Sequence, residues 1–123
     1  MTQNNRLTGR IASKGIVEGR ACVINSYSDL AKVRAGDIVI TAQTDMNYVP
    51  FLIGAGGLIT ETGGRTCHAA IYARENRLPC IVGVTDARTS LSGHSRIRLD
   101  GDNNEIVLLT SDETSRENEN GDH

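Results

Sequence analysis

Within the stretch Thr62-Gly63-Gly64-Arg65-Thr66-Cys67-His68 the chain brings together a glycine pair, a guanidinium, two hydroxyls, a thiol and an imidazole. Adjacent glycines leave backbone N–H groups unobstructed. A helix starting at Thr66-Cys67-His68 adds its unpaired first-turn amides and the positive end of its dipole. Arg65 contributes a fixed charge whose fork geometry suits phosphate oxygens, and Thr62 and Thr66 can donate hydroxyl hydrogen bonds. The combination reads as a seat for a phosphoryl group. On the first turn of this helix the His68 imidazole could itself be the covalent phosphate acceptor. A phosphoimidazole carries about two negative charges, which a helix N-terminus holds favourably. Each feature also has a plainer use: a glycine pair before a helix is more often a tight turn, and a histidine near a helix start more often a cap or a surface residue.

The remaining candidates carry less. His94, in Ser92-Gly93-His94-Ser95, sits in a polar turn with no partner motif and is expected to be solvated. Cys67 beside His68 invites a Cys–His nucleophile, but neighbours on a helix point about 100° apart and do not face one another. A thiol packed under the turn is the expectation. Cys22 and Cys80 lie in β-like runs and are assigned to the core. Three cysteines without Cys-x-x-Cys spacing argue against a disulfide framework and a structural zinc site, so reduced thiols are expected. No Walker-type Gly-Lys-Ser/Thr occurs and no acidic cluster suggests a magnesium site.

The elements that must position these residues alternate between short β-like and helix-like runs. Strands are predicted at 19–24, 37–42, 57–60, 79–84, 96–99 and 105–109. The Asp100-Gly101-Asp102-Asn103-Asn104 loop supplies turn chemistry for an antiparallel pair of the last two. Helices are predicted at 28–34 after a capping Ser28, at 46–55, and from near Thr66 to about Asn76. The unit 57–84 then reads strand, glycine turn, helix, strand, which is βαβ logic inside a fold that also holds hairpins. The fold class is mixed α/β.

Composition bounds the rest. A chain of 123 residues has room for one domain. Acids outnumber bases 15 to 13, so there is no basic excess of the kind that neutralises a nucleic-acid backbone. No apolar run approaches the roughly 20 residues of a membrane span, and MTQNNRLTGR has no apolar signal-peptide region, which together point to a cytoplasmic protein. Residues 111–123 contain five acids and no aliphatic or aromatic side chain and read as a disordered acidic tail; residues 1–5 read as a frayed N-terminus. Residues 6–110 are then the folded domain. Over residues 1–110 the formal charge is +2, and 11 of the 13 bases in the chain are arginine.

Taken together, Thr62-Gly63-Gly64-Arg65-Thr66-Cys67-His68-Ala69-Ala70-Ile71, Ala73-Arg74-Glu75 and Pro79-Cys80-Ile81-Val82-Gly83 resemble the signature of the mobile phosphohistidine domain of phosphoenolpyruvate-utilising enzymes. That family includes phosphoenolpyruvate synthase, pyruvate phosphate dikinase and enzyme I of the sugar phosphotransferase system, and the Gly-Gly-Arg-Thr-Cys-His-Ala-Ala wording is most similar to the first. The resemblance runs from about Leu7 to Leu109, with Ser13-Lys14-Gly15 and Glu18-Gly19-Arg20 resembling the domain's opening and Gly36-Asp37-Ile38-Val39-Ile40 its second strand segment. It implies a swivelling β/β/α fold and a phosphoryl-carrier role with His68 as the phosphorylated residue. Gly63, Gly64, Arg65 and Thr66 then flank that histidine, Arg74 matches the helix arginine, and Thr44 resembles a threonine near the histidine.

The resemblance also implies what the chain lacks. Multidomain relatives place the carrier between an ATP-grasp nucleotide-binding domain and a phosphoenolpyruvate/pyruvate-binding barrel, and 123 residues hold neither. The chain is expected to bind no cofactor itself, to meet Mg·ATP or phosphoenolpyruvate in a partner, and not to turn over alone. The alternative function is a noncatalytic anion-binding, docking or regulatory module in which His68 is never phosphorylated. Two departures stand out. Arg77 occupies the helix-end position usually held by glycine, so the helix is expected to end without a left-handed residue there. Met46-Asn47 replaces the usual Pro-Asp pair, a change on the docking surface rather than in the chemistry.

Overall fold

Among the described residues eight strands pair into one sheet. In the computed structural model the residues described are 6–111, apart from the side chains of residues 94, 95, 110 and 111. The expected frayed start at 1–5 and nearly all of the expected tail lie outside the described residues. The strands are β1 (Arg6–Leu7), β2 (Arg10–Ser13), β3 (Ile16–Ile24), β4 (Ile38–Thr41), β5 (Gly57–Thr60), β6 (Cys80–Val82), β7 (His94–Asp100) and β8 (Glu105–Ser111), and their order in the sheet is β1-β8-β7-β3-β4-β5-β6-β2. The α-helices are α1 (Val49–Leu52), α2 (His68–Asn76) and α3 (Ala87–Ser90), with 3-10 turns at Tyr27–Lys32 and Met46–Tyr48.

β3 is long because it serves two ladders. Its first half runs antiparallel to β7, from Ile16 opposite Asp100 to Arg20 opposite Arg96, and its second half runs parallel to β4, from Ala21 opposite Ile38 to Ile24 opposite Thr41. Gly19, near the changeover, lies so close to Gly36 that a Cβ there would come within 2.5 Å of the Gly36 carbonyl oxygen. β4, β5 and β6 continue in parallel, and β2 closes that edge in antiparallel fashion.

The parallel strands are continuous apolar runs because both of their faces are covered. Val39, Leu58, Cys80 and Val82 face one core with Ala69, Ala70 and Ala73 of α2. Ile38, Ile40, Ile59 and Ile81 face the other core with Ile97, Leu99 and Ile106 from the β7–β8 hairpin and Ala87 and Leu91 around α3. Helix, parallel sheet and antiparallel hairpin are therefore three layers, the β/β/α arrangement expected. Alanines on the buried side of α2 let the helix axis approach the sheet closely.

The β7–β8 hairpin forms as its alternation predicts, and its turn is held by Asp100, whose Oδ1 accepts from the backbone N–H groups of Asp102 and Asn103. Other boundaries need correction. The first helical segment is a 3-10 turn capped at Ser26 rather than Ser28, because the Asp29 carboxylate reaches back to the Asn25 and Ser26 amides. The 46–55 helix is a 3-10 turn continued by only four residues of α1. Arg77 does adopt the left-handed conformation, at φ 55° and ψ 37°, so α2 ends in the way expected of a glycine there. The Leu78 N–H then closes onto the Ala73 carbonyl at 2.9 Å, which compensates the crowding. β1, β2 and α3 have no counterpart among the predicted elements. His94 opens β7 rather than sitting in a turn, and its side chain lies outside those described.

Candidate functional site

The carboxyl ends of β4 and β5 point the chain into two loops, 42–45 and 61–67, which meet α2. Glu61 and Thr62 donate their backbone N–H groups to Thr41 and Ala42 carbonyls at 3.0–3.2 Å, and Thr62 Oγ1 donates to the Ala42 carbonyl at 3.1 Å. The two loops are thus stitched together. Glu61 is anchored from the far side by Arg88, whose Nη2 lies 3.2 Å from Oε1 and whose backbone N–H donates to Oε2 at 2.9 Å. Partial burial pushes the Glu61 carboxyl up, but the Arg88 contacts outweigh it and hold the group below its ordinary value.

Gly63 takes φ +112°, and a Cβ there would sit 2.7 Å from Cys67 Sγ. The thiol is packed under the turn, as expected, and only glycine fits above it. Gly64 has nothing within 4 Å of such a Cβ, so its missing side chain is no packing requirement. The turn from Gly64 to Cys67, closed by Cys67 N–H to the Gly64 carbonyl at 3.3 Å, delays the helix start from Thr66 to His68. Cys67 is the N-cap in extended conformation, and Ile71 is the residue whose N–H returns to the Cys67 carbonyl, at 3.1 Å. The amides of His68, Ala69 and Ala70 precede any intrahelical acceptor.

Thr44 Oγ1 lies 2.8 Å from His68 Nδ1, across 24 residues of sequence. Thr44 is 8 % exposed, so the hydroxyl is fixed in place, while His68 is half-buried. Around this contact lies a pocket of about 200 Å³ lined by Gln43, Thr44, Thr60, Thr62, Gly63, Cys67, His68 and Ala69. Its position beyond the carboxyl ends of parallel strands is the usual place for a ligand in such sheets. Of the expected phosphate-binding residues, Thr62 and Gly63 line the pocket; Gly64, Arg65 and Thr66 do not, and the last two are exposed on the loop before the helix. Arg74 does not line the pocket either. Its guanidinium donates to the Arg65 carbonyl and, at 3.4 Å, to the Ala12 carbonyl, so it braces the loop against β2. Tyr72 was not singled out by sequence reading. Its ring stacks on His68, with centroids 6.4 Å apart and planes 18° from parallel. The i, i+4 spacing of the two on one helix is the signal that could have found it.

Residues 33–104 match the family described as PEP-utilising enzyme, mobile domain. The chain belongs to that family. This mobile domain is 41% identical over 90 residues to a probable phosphoenolpyruvate synthase of Methanothermobacter thermautotrophicus, covering 73% of this chain and 13% of that protein. It is 42% identical over 103 residues to a rifampicin phosphotransferase of Bacillus cereus, covering 84% of this chain and 12% of that protein. The chain therefore spans about one-eighth of the length of these relatives. The solution structure of enzyme I shares the fold, with a TM-score of 0.56 at 21% identity over 80% of this chain and 39% of that one. Mobile domains of this family belong to multidomain enzymes. Among the described residues of this one, no helix is long and apolar enough to cross a membrane.

Proposed function

We propose that the mobile domain is a phosphoryl carrier that accepts a phosphoryl group on His68 and hands it to a second acceptor. The observation that carries this reading is the 2.8 Å contact between His68 Nδ1 and Thr44 Oγ1 at the first residue of α2. With Nδ1 engaged, Nε2 is the nitrogen left for chemistry. For Nε2 to attack, its lone pair must be free, so the ring proton rests on Nδ1 and Thr44 Oγ1 accepts it. The Nε2 lone pair then forms the bond to phosphorus as the bond from phosphorus to the donor's leaving group breaks. In the return step an acceptor oxygen attacks phosphorus and the electron pair goes back to Nε2. The open first-turn amides of α2 and the positive end of its dipole favour the added negative charge. Arg65, on the exposed loop, is in a position to meet phosphate oxygens from the solvent side.

On this reading the donor, Mg·ATP or phosphoenolpyruvate, is presented by a partner of ATP-grasp or phosphoenolpyruvate-binding type, and the acceptor is of pyruvate type. The relatives bearing the names phosphoenolpyruvate synthase and rifampicin phosphotransferase support such a division, since similar mobile domains occur in proteins named for different reactions. The setting is the cytoplasm. The test needs no partner. Phosphoramidate, a small phosphoryl donor, is incubated with the full chain and the products are mapped by peptide. A label on His68 that is base-stable, acid-labile and absent from His68→Ala is the expected result. No label, or label on His94 or His123 as fast as on His68, would favour the noncatalytic docking reading instead.

A further inference from the structure

Thr44 fixes one atom of the His68 ring, and one atom does not fix a plane. An imidazole held only at Nδ1 can still pivot about that hydrogen bond through its two side-chain torsions. Reaction geometry needs more: the Nε2 lone pair lies in the ring plane, so the ring's tilt decides where it points. The structure supplies a second restraint in Tyr72. This residue is one helical turn after His68 on the same side of α2, and the two rings are stacked nearly parallel, with centroids 6.4 Å apart and planes at 18°. Tyr72 is itself held: it is partly buried against the core formed by α2 and the parallel sheet, and it walls a groove with Leu52, Ile53 and Leu78.

We propose that Tyr72 is a positioning residue for His68, its ring and the Thr44 hydroxyl together fixing the plane in which Nε2 meets phosphorus. An aromatic face suits this task because it restrains the imidazole without offering a hydrogen-bond acceptor to Nε2. The nucleophilic lone pair is oriented and left uncommitted. The ring, not the phenol hydroxyl, is what the geometry uses, so phenylalanine should serve and an aliphatic residue should not. The proposal rests on the carrier reading for its kinetic consequence, but not for the restraint itself.

The experiment compares the full-length wild-type chain with Tyr72→Phe and Tyr72→Leu. Imidazole proton and nitrogen resonances of His68 are recorded without any donor, and initial rates of His68 phosphorylation are then measured with phosphoramidate. Tyr72→Leu should shift the His68 ring protons by removing the ring current and slow labelling roughly two- to tenfold, in line with the worth of an aromatic pair. Tyr72→Phe should keep both the shifts and the rate. Unchanged His68 shifts in Tyr72→Leu, or a Tyr72→Phe variant as slow as Tyr72→Leu, would overturn the proposal. If Tyr72→Leu fails to fold, Tyr72→Met, which keeps an apolar side chain against the core and has no aromatic ring, takes its place: the same shift and slowing are expected, and resonances and rate equal to wild type would overturn the proposal. Absence of labelling in wild type would defeat the carrier reading, while the resonances would still decide whether the two rings stack in solution.

Discussion

Thr44 sits just past the end of β4 with a hydroxyl that is 2.8 Å from His68 Nδ1 and a side chain almost closed to solvent. Valine at this position keeps the shape and removes the hydrogen bond, leaving Nδ1 without its partner. A neutral hydrogen bond is worth about 0.5–1.5 kcal/mol, so Thr44→Val should slow phosphorylation of His68 roughly two- to tenfold. Thr44→Ser retains the acceptor and should stay near the wild-type rate. Initial rates with phosphoramidate for the three chains check this, and equal rates for wild type and Thr44→Val would show that the hydroxyl does not orient the imidazole. The cysteines are a contrast at the same scale. Burial, with smaller help from the neighbouring Cys67, pushes the Cys80 thiol up to about 12, which keeps it protonated and inert as a core residue.

The glycine pair before α2 divides when read as an element. Gly63 is bound by φ +112° and by Cys67 Sγ, whereas Gly64 is bound by nothing within 4 Å of where its Cβ would be. Gly63→Ala should therefore destabilise the domain by about 1–3 kcal/mol, with part of the loss recovered in Gly63→Ala/Cys67→Ala because the thiol is gone and the backbone strain remains. Gly64→Ala should leave the unfolding midpoint within about 0.5 kcal/mol of wild type. Urea melts of the four chains decide the matter; equal losses at both glycines would mean that the turn, not the thiol contact, sets the requirement. Sequence reading could see that a turn leading into a helix belonged here, because Gly-Gly-Arg-Thr-Cys-His is a local pattern. It could not see which glycine was needed, since that depends on a thiol brought underneath by the turn itself. The same limit explains the elements that were missed. β2 pairs with β6 at sequence separations of 67 to 72 positions and has little apolar pattern of its own, and α3 is a four-residue turn fixed by packing of Ala87 into the second core. The parallel strands were legible because burial on both faces demands unbroken apolar runs, and the hairpin because its turn residues act locally.

At the scale of the molecule, Asp29 and Asp100 each close a local turn, and Glu61 joins segments 27 positions apart. All three carboxylates are held below their ordinary values. Asn103 and the backbone amides of the β7–β8 turn do this for Asp100, and the Asn25 amide with Lys32 for Asp29. For Glu61 burial acts in the opposite direction and the Arg88 contacts prevail. A carboxylate depressed in the folded state binds its proton more readily when the chain is unfolded. Unfolding therefore takes up protons on acidification, and the stabilisation is complete above the ordinary carboxylate range and lost as pH falls through it. Glu61 matters most to function, because its pair with Arg88 connects α3 to the loop that bears Gly63 and leads into His68. The expected outcome is a urea midpoint that is level near neutral pH and falls steadily between about pH 5 and pH 3, with Glu61→Gln starting lower and falling less steeply because one of the groups no longer titrates. Denaturation curves collected across that range at fixed ionic strength measure both slopes. A wild-type midpoint that holds or rises on acidification, or a Glu61→Gln slope equal to wild type, would remove the Arg88 pair from the forces that keep the loops of the site in place.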